Sequence, residues 1–210
     1  MVDPIAQHKT RRLPRLLERY RKDIAPALAK QFGNGNLLAI ARLEKIVLNV
    51  GCGDLAHDAK MLEALQETVG LISGQRAVVT RAKVAISNFK IRANDPVGCK
   101  VTLRRDRMYE FLDRLVNVAL PRIRDFRGLN PGGFDQGGNY SFGVNELIIF
   151  PEVNLDRLPN PFGMDITLVT SAKTQEEAFS LLRAFGLPFA KNLQGQAGSE
   201  AVSLQQTIQE

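Results

Sequence analysis

Nine cations, Arg76, Arg81, Lys83, Lys90, Arg92, Lys100, Arg104, Arg105 and Arg107, lie between residues 76 and 107, faced only by Asp95 and Asp106. A run so one-sided in charge calls for a polyanion, and phosphate is its natural counter-charge. Within it, Arg81 to Pro96 is a stretch of sixteen residues between two expected strands, long for a hairpin connection in a compact domain and therefore a candidate working loop. It carries Arg81, Lys83, Lys90 and Arg92, the polar Ser87 and Asn88, and one aromatic, Phe89. A phenyl ring offered among cations can stack on an unpaired base, worth ~1–3 kcal/mol in single-stranded recognition, while the cations hold the backbone. The residues alone leave a second reading open, in which Phe89 and Ile91 anchor the loop to the core.

Other reactive chemistry is sparse. The only imidazoles are His8 and His57, one near the terminus and one beside acids at an expected helix start, and no Cys or Ser motif marks a nucleophile for either. Asp54 and Asp58 have helix-start spacing, where carboxylates favour the positive end of the dipole, so no metal is needed to explain them. Cys52 and Cys99 are too far apart for a CxxC pair or a zinc ribbon and read as small buried thiols. Arg122, Arg124 and Arg127 form a second basic cluster, leading into a glycine-rich stretch from Gly128 to Gly143. That stretch is neither a GxGxxG opening a helix nor a P-loop, so nucleotide binding is not indicated, and it is expected to have little rigid structure of its own. No catalytic group, metal or cofactor is expected, and the chain reads as a non-enzyme.

The elements that must position the basic segment follow from periodicity. Leu13, Leu16, Leu17, Tyr20, Ile24 and Leu28 recur at helical spacing, predicting a basic amphipathic helix over 11–31, bent near Pro26 and ended by Gly33 and Gly35. Residues 43–50 alternate, with Ile46, Leu48 and Val50 on one face and Lys45, Val47 and Asn49 on the other, as a half-buried strand does. A second helix is predicted over 58–72, closed by Gly74, then a short strand through Val78 and Val79. Residues 98–104 set Cys99, Val101 and Leu103 against Lys100, Thr102 and Arg104, one face apolar and the other cationic. Asp106 is placed to cap a helix running to about Leu120, with Pro121 beginning the exit. Two more strands are expected over 144–150 and 164–171, and a last helix with Thr174 and Glu177 at capping-box spacing, terminated by Gly186 and Pro188. Strands polar on one side, with four helices for the other, indicate an α+β fold. Its mainly antiparallel sheet should have helices packed on one face and a polar, basic, RNA-binding face, with long basic and Gly-rich loops.

Composition agrees. Lys and Arg number 28 against 22 Asp and Glu, a formal charge of +6, which favours a polyanionic partner. No apolar run approaches the roughly twenty residues of a membrane span, and the first ten lack a secretory signal, so a soluble intracellular protein is expected. Residues 1–192 read as one domain, and 193–210, rich in Gln, Gly, Ser and Ala, as a disordered tail. Two further classes stay open at this level. A regulatory module acting on messenger RNA would share the basic face, and an enzyme acting on RNA would need positioned acids, bases or metal ligands.

The segments IVLNVG at 46–51, SGQ at 73–75, SNFKIR at 87–92 and GCKVTLR at 98–104 resemble those of the bacterial ribosomal protein L-five family. The resemblance continues through PRIRDFRGL at 121–129, GNYSFGVNE at 138–146, IIFPE at 148–152 and DITLVTSAK at 165–173, in the family's order and spacing, over roughly residues 10–192. It implies a structural constituent of the large ribosomal subunit in the bacterial-type cytoplasmic ribosome. Such a protein sits in the central protuberance, binds 5S rRNA through its sheet face, contacts large-subunit rRNA and other protuberance proteins, and reaches peptidyl-site tRNA. The family also bridges to a protein of the small-subunit head. Carried over by motif, the 5S rRNA contacts fall on Asn49, Gln75, Phe89, Arg92 and Thr102, with Lys100 and Arg104 beside them. The tRNA-proximal loop carries Arg81, Lys83, Ser87, Asn88 and Lys90. Asp95 lies where the family varies and is assigned no contact, and the resemblance does not explain the segment from Asn192.

Overall fold

Among the described residues, five strands, all antiparallel, form one sheet whose central member is the first of them in sequence. The computed structural model describes residues 13–33, 35–52, 59–153 and 162–190. The strands are β1 (Leu43–Gly51), β2 (Val78–Arg81), β3 (Pro96–Leu103), β4 (Tyr140–Val144) and β5 (Met164–Thr170), in the order β2-β3-β1-β5-β4. Alternation decides the faces. Ile46, Leu48 and Val50 of β1, Cys99, Val101 and Leu103 of β3, and Ile166 and Leu168 of β5 are almost completely buried. Their neighbours in sequence point the other way.

The helices cover the apolar face. α3 (Ala59–Ser73) buries Leu65, Val69 and Ile72, α4 (Arg105–Arg114) buries Met108, Phe111 and Leu112, and α5 (Gln175–Phe185) buries Ala178, Leu181, Leu182 and Phe185. Burial of each large side chain contributes about 1.5–3 kcal/mol. The N-terminal helix comes in two parts, α1 (Arg15–Arg19) and α2 (Ala25–Gln31), joined by a π-turn over Tyr20–Ile24. The expected bend near Pro26 has a local cause, because proline offers no N–H and crowds the preceding turn. The backbone widens there, and the N–H of Ala25 reaches back five residues to the carbonyl of Tyr20. Stacking of Tyr20 on Phe185, with ring centroids 5.8 Å apart, ties this helix to α5. At the other end of the layer Arg114 donates to the carbonyl of Ile72 at the end of α3 and pairs with Glu152.

Three expectations need correction. No strand runs over 144–150. β4 lies over Tyr140–Val144, and Leu147–Ile149 is a 3-10 turn. That apolar run turns because Leu147, Ile149 and Phe150 all enter the core, which the period of a strand does not allow. Asp106 sits in the first turn of α4 and not ahead of it, and the residue at the cap, Arg104, makes no side-chain capping bond. The glycine-rich stretch is well pinned. Asn130 caps a 3-10 turn over Pro131–Gly133, Asp135 holds Asn139 through its N–H and side-chain amide, and the Tyr140 hydroxyl donates to the carbonyl of Asn130 at 2.9 Å. Those bonds also hold the Asp135 carboxyl below its ordinary pKa.

The capping box of the last helix is present, with the Thr174 hydroxyl accepting from the N–H of Glu177, although the Glu177 carboxylate accepts from the N–H of Lys173. Cys52 and Cys99 are buried free thiols, and burial pushes Cys99 up to about 11. His8, His57, Asp54, Asp58 and the tail from 193 fall outside the described residues. Among the described residues, no helix is long and apolar enough to cross a membrane, and no group of three metal-ligating side chains occurs.

Candidate nucleic-acid interface

The outer face of the sheet is assembled by cross-strand register from segments far apart in sequence. Asn49 of β1 stands opposite Lys100 of β3 on one side and Asp165 of β5 on the other, and the row continues to Val78 of β2 and Gly143 of β4. Residues directly opposite in antiparallel strands share a face, so this row presents a cation, an amide and a carboxylate together. The adjacent row runs Thr102, Val47, Thr167, Ser141, and the Ser141 hydroxyl donates to that of Thr167 at 3.0 Å. Asn49 and Lys100 are exposed and Thr102 is half-buried. Hydroxyls, amides and an ammonium on a sheet free of covering helices can bond sugar hydroxyls, base edges and phosphates.

Gln75 reaches this face by a turn. Gly74, at φ +70°, ends α3 in a left-handed conformation that glycine adopts without strain. The side chain of Gln75 then donates to the carbonyl of Thr102 at 3.0 Å and accepts from Arg107 at 3.3 Å. A primary amide has two N–H donors and two acceptor lone pairs. Anchored in this way, Gln75 keeps one of each for an outside partner. Gln75, Thr102, Arg104 and Arg107 therefore gather at the C-terminal end of β3.

The segment between β2 and β3 is a structured arm and not an open loop. Ala82 donates to the carbonyl of Asp95, Ile86 and Ile91 exchange both backbone bonds, and Ser87–Phe89 forms a 3-10 turn closed by Lys90 at φ +53°. Asp95 works inside the arm, its carboxylate accepting from the backbone N–H of Arg92 at 2.7 Å. Arg81 is engaged likewise, donating to the carbonyl of Asn94 at 2.9 Å. The side chains of Lys83, Ser87, Asn88, Phe89, Lys90 and Arg92 are exposed, Phe89 to 72%. Phe89 thus contributes little to the core, and Ile91, half-buried, is the residue that faces inward.

The site residues expected from the sequence consequently fall at two ends of one surface. Six residues of extended strand separate Pro96, at the root of the arm, from Thr102, about 20 Å. Asn49 and Lys100 lie between them. Sequence reasoning missed Asp165, Thr167 and Ser141 on this face, and the apolar Val78, Val84 and Ile86, exposed to 60%, 70% and 47% around the arm. The first two were available from the alternation of Met164, Ile166 and Leu168. The exposed valines and isoleucine had no periodic signal.

Residues 36–92 match the family model described as Ribosomal protein L5, and residues 96–189 match the model for the C-terminus of the same ribosomal family. This chain belongs to the ribosomal protein L5 family. Similar curated proteins, each called large ribosomal subunit protein uL5, include that of Caldanaerobacter subterraneus subsp. tengcongensis, 54% identical over 179 residues, covering 85% of this chain and 100% of the relative. Those of Clostridium tetani and Clostridium acetobutylicum are 53% and 51% identical, each covering 85% of this chain and 99% of the relative. The L5 family is a structural one and not an enzyme family, in keeping with the sequence reading. Its two matched segments contribute to the same sheet, β1 pairing with β3 across the boundary between them.

Proposed function

We propose that the outer sheet face and the β2–β3 arm bind 5S rRNA and attach it to the central protuberance. Membership of the L5 family makes the chain a structural, RNA-binding constituent of the large subunit in the cytoplasmic ribosome. The observation that carries the finer reading is the polar row through Lys100 and Asn49, open on the side of the sheet away from the helices. Thr102, with Gln75 and Arg104 beside it, extends the contact at one end, and Phe89 and Arg92 extend it at the other. The arm, with Arg81, Lys83, Ser87, Asn88 and Lys90, reaches peptidyl-site tRNA. Large-subunit rRNA, a small-subunit head protein and neighbouring protuberance proteins complete the partners, and residues up to 192 act as one RNA-binding domain.

A filter or gel-shift titration against 5S rRNA, with tRNA as competitor, tests this at 50 and 200 mM salt. If about six phosphates are neutralised, affinity falls roughly a thousandfold between the two. A flat salt response, or binding no better than to the competitor, would leave only generic basicity.

A further inference from the structure

The row through Asn49 and Asp165 is more selective than a phosphate-binding surface needs to be. Lys100 suits a phosphate, whereas Asp165 repels one, and among the described residues its carboxylate has neither a cation nor a hydrogen-bond donor as partner. Asn49, directly opposite on β1, is exposed as Asp165 is, with its side-chain amide equally free. Residues opposite one another in antiparallel strands hold their Cβ atoms ~4.5–5.5 Å apart. The two side chains therefore form a fork, an amide that donates and accepts beside a carboxylate that only accepts.

The ground beside the fork is bare. Gly143 stands opposite Asp165 on β4, Gly51 follows two residues after Asn49, and Gly163 comes two residues before Asp165, all three exposed. A step of two residues returns to the same face of a strand, so these glycines leave a floor of backbone next to the two side chains. Packing does not demand glycine at either Gly51 or Gly143. A Cβ at Gly51 would meet nothing within 4 Å, one at Gly143 would lie 3.5 Å from Oδ1 of Asp165, and neither residue has a positive φ. What the missing side chains do leave is room for a flat group whose edge meets the fork. The four bases differ in what such an edge offers. Adenine and cytosine present one amino donor beside a ring nitrogen that accepts, and uracil presents one donor between two carbonyls, so each sets an acceptor against the carboxylate. Guanine alone presents two adjacent donors, N1–H and the N2 amino group, with O6 beside them. Its donors match the two oxygens of Asp165, and O6 falls to the amide N–H of Asn49. Lys100, on the far side of Asn49, is left for a phosphate.

We infer that Asn49 and Asp165 read the Watson–Crick edge of an unpaired guanine, which makes Asp165 a specificity-determining residue of the outer face. The inference rests on that face binding 5S rRNA. Asp165 weakens the hold on RNA in general, and its repulsion is offset only where a guanine reaches it.

Kethoxal, which adds to guanine across N1 and N2, reads this contact on 5S rRNA bound to the full chain. With native protein at saturation, one guanine that is reactive in the free RNA is expected to become at least ~tenfold less reactive. Asp165→Asn puts a donor where one acceptor was, and Gly143→Leu fills the floor while keeping the carboxylate. In each of these complexes, again at saturation, that guanine regains its reactivity and the other protections stay. Asp165→Asn also binds the tRNA competitor at least as tightly as the native chain does, because a negative charge is gone. Bound 5S rRNA with no protected guanine, or guanine protections that survive either substitution, overturns the inference and leaves the 5S rRNA reading standing. Native protein that binds 5S rRNA no better than tRNA removes that reading, and the inference falls with it.

Discussion

Replacing Phe89 by alanine separates the two roles a lone aromatic on the arm could have. A phenylalanine side chain has an area on the order of 200 Å², and at 72% exposure Phe89 has little of it withdrawn from water in the free protein. At about 25 cal/mol per Å², the hidden remainder is worth at most about 1.4 kcal/mol of folding stability. For a domain of this size that lowers Tm by no more than about 6 °C. Stacking on a base would instead cover the exposed ring face, and its loss costs ~1–3 kcal/mol of binding, or about a 5- to 150-fold weaker Kd. Thermal unfolding by circular dichroism and titration with 5S rRNA measure the two quantities on one preparation. Phe89→Leu serves as a control, keeping apolar bulk without a π face, and is expected to match alanine in affinity. A large fall in Tm with unchanged affinity would refute the reasoning and make Phe89 an anchor of the arm.

Asn49→Ala and Thr102→Ala are each expected to weaken 5S rRNA binding by about 1–2 kcal/mol with Tm nearly unchanged; loss of stability at constant affinity would contradict their outward placement. Gly128→Ala, by contrast, attacks the fold, since φ is +104° there and the new Cβ would meet Ala190 at 2.6 Å. It should cost roughly 2–4 kcal/mol, read by urea unfolding. Alkaline pH destabilises the protein, because burial holds the Cys99 thiol to about 11 and the hydroxyls of Tyr109 and Tyr140 to about 12, above their ordinary values of 9.0 and 10.0. These contributions are complete below pH 9 and are lost between 9 and 11 for Cys99 and between 10 and 12 for the tyrosines, where the unfolded chain has already released its protons. Cys99→Val should flatten the decline between pH 9 and 11 in denaturant titrations; an unchanged profile would exclude Cys99 as a cause.

The central strands were legible because a period of two survives in the sequence wherever one face is buried. Ile46, Leu48 and Val50 against Lys45 and Asn49, and Cys99, Val101 and Leu103 against Lys100 and Thr102, assign both faces of β1 and β3 without ambiguity. β4 escaped for the opposite reason. Its Tyr-Ser-Phe-Gly-Val alternates correctly, but it sits among glycines, and the richer apolar run just after it looked more like a strand. The arm between β2 and β3 read as a loop because only short, separated contacts hold it, the backbone bonds of Ala82 with Asp95 and Asn94 and the exchange between Ile86 and Ile91. The anchoring of Gln75 on Thr102 and Arg107 depends on tertiary distance, which no local pattern encodes. Asp165 was hidden by a different bias, since a search for cations passes over the one carboxylate that register brings into their row.

The register of β1 also governs when the polar outer face of the sheet can exist. The strand made first lies in the middle, with β3 on one side and β5, more than a hundred residues later in synthesis, on the other. Its pairing with β5 is highly non-local, which slows folding because distant ends must meet before the pairing energy is recovered. A growing chain that has emerged only through β3 has Asn49 beside Lys100 but an open edge where β5 belongs. The full row through Asp165 closes only when almost all of the described chain has been made, so a fragment or an unfinished chain carries an incomplete polar face.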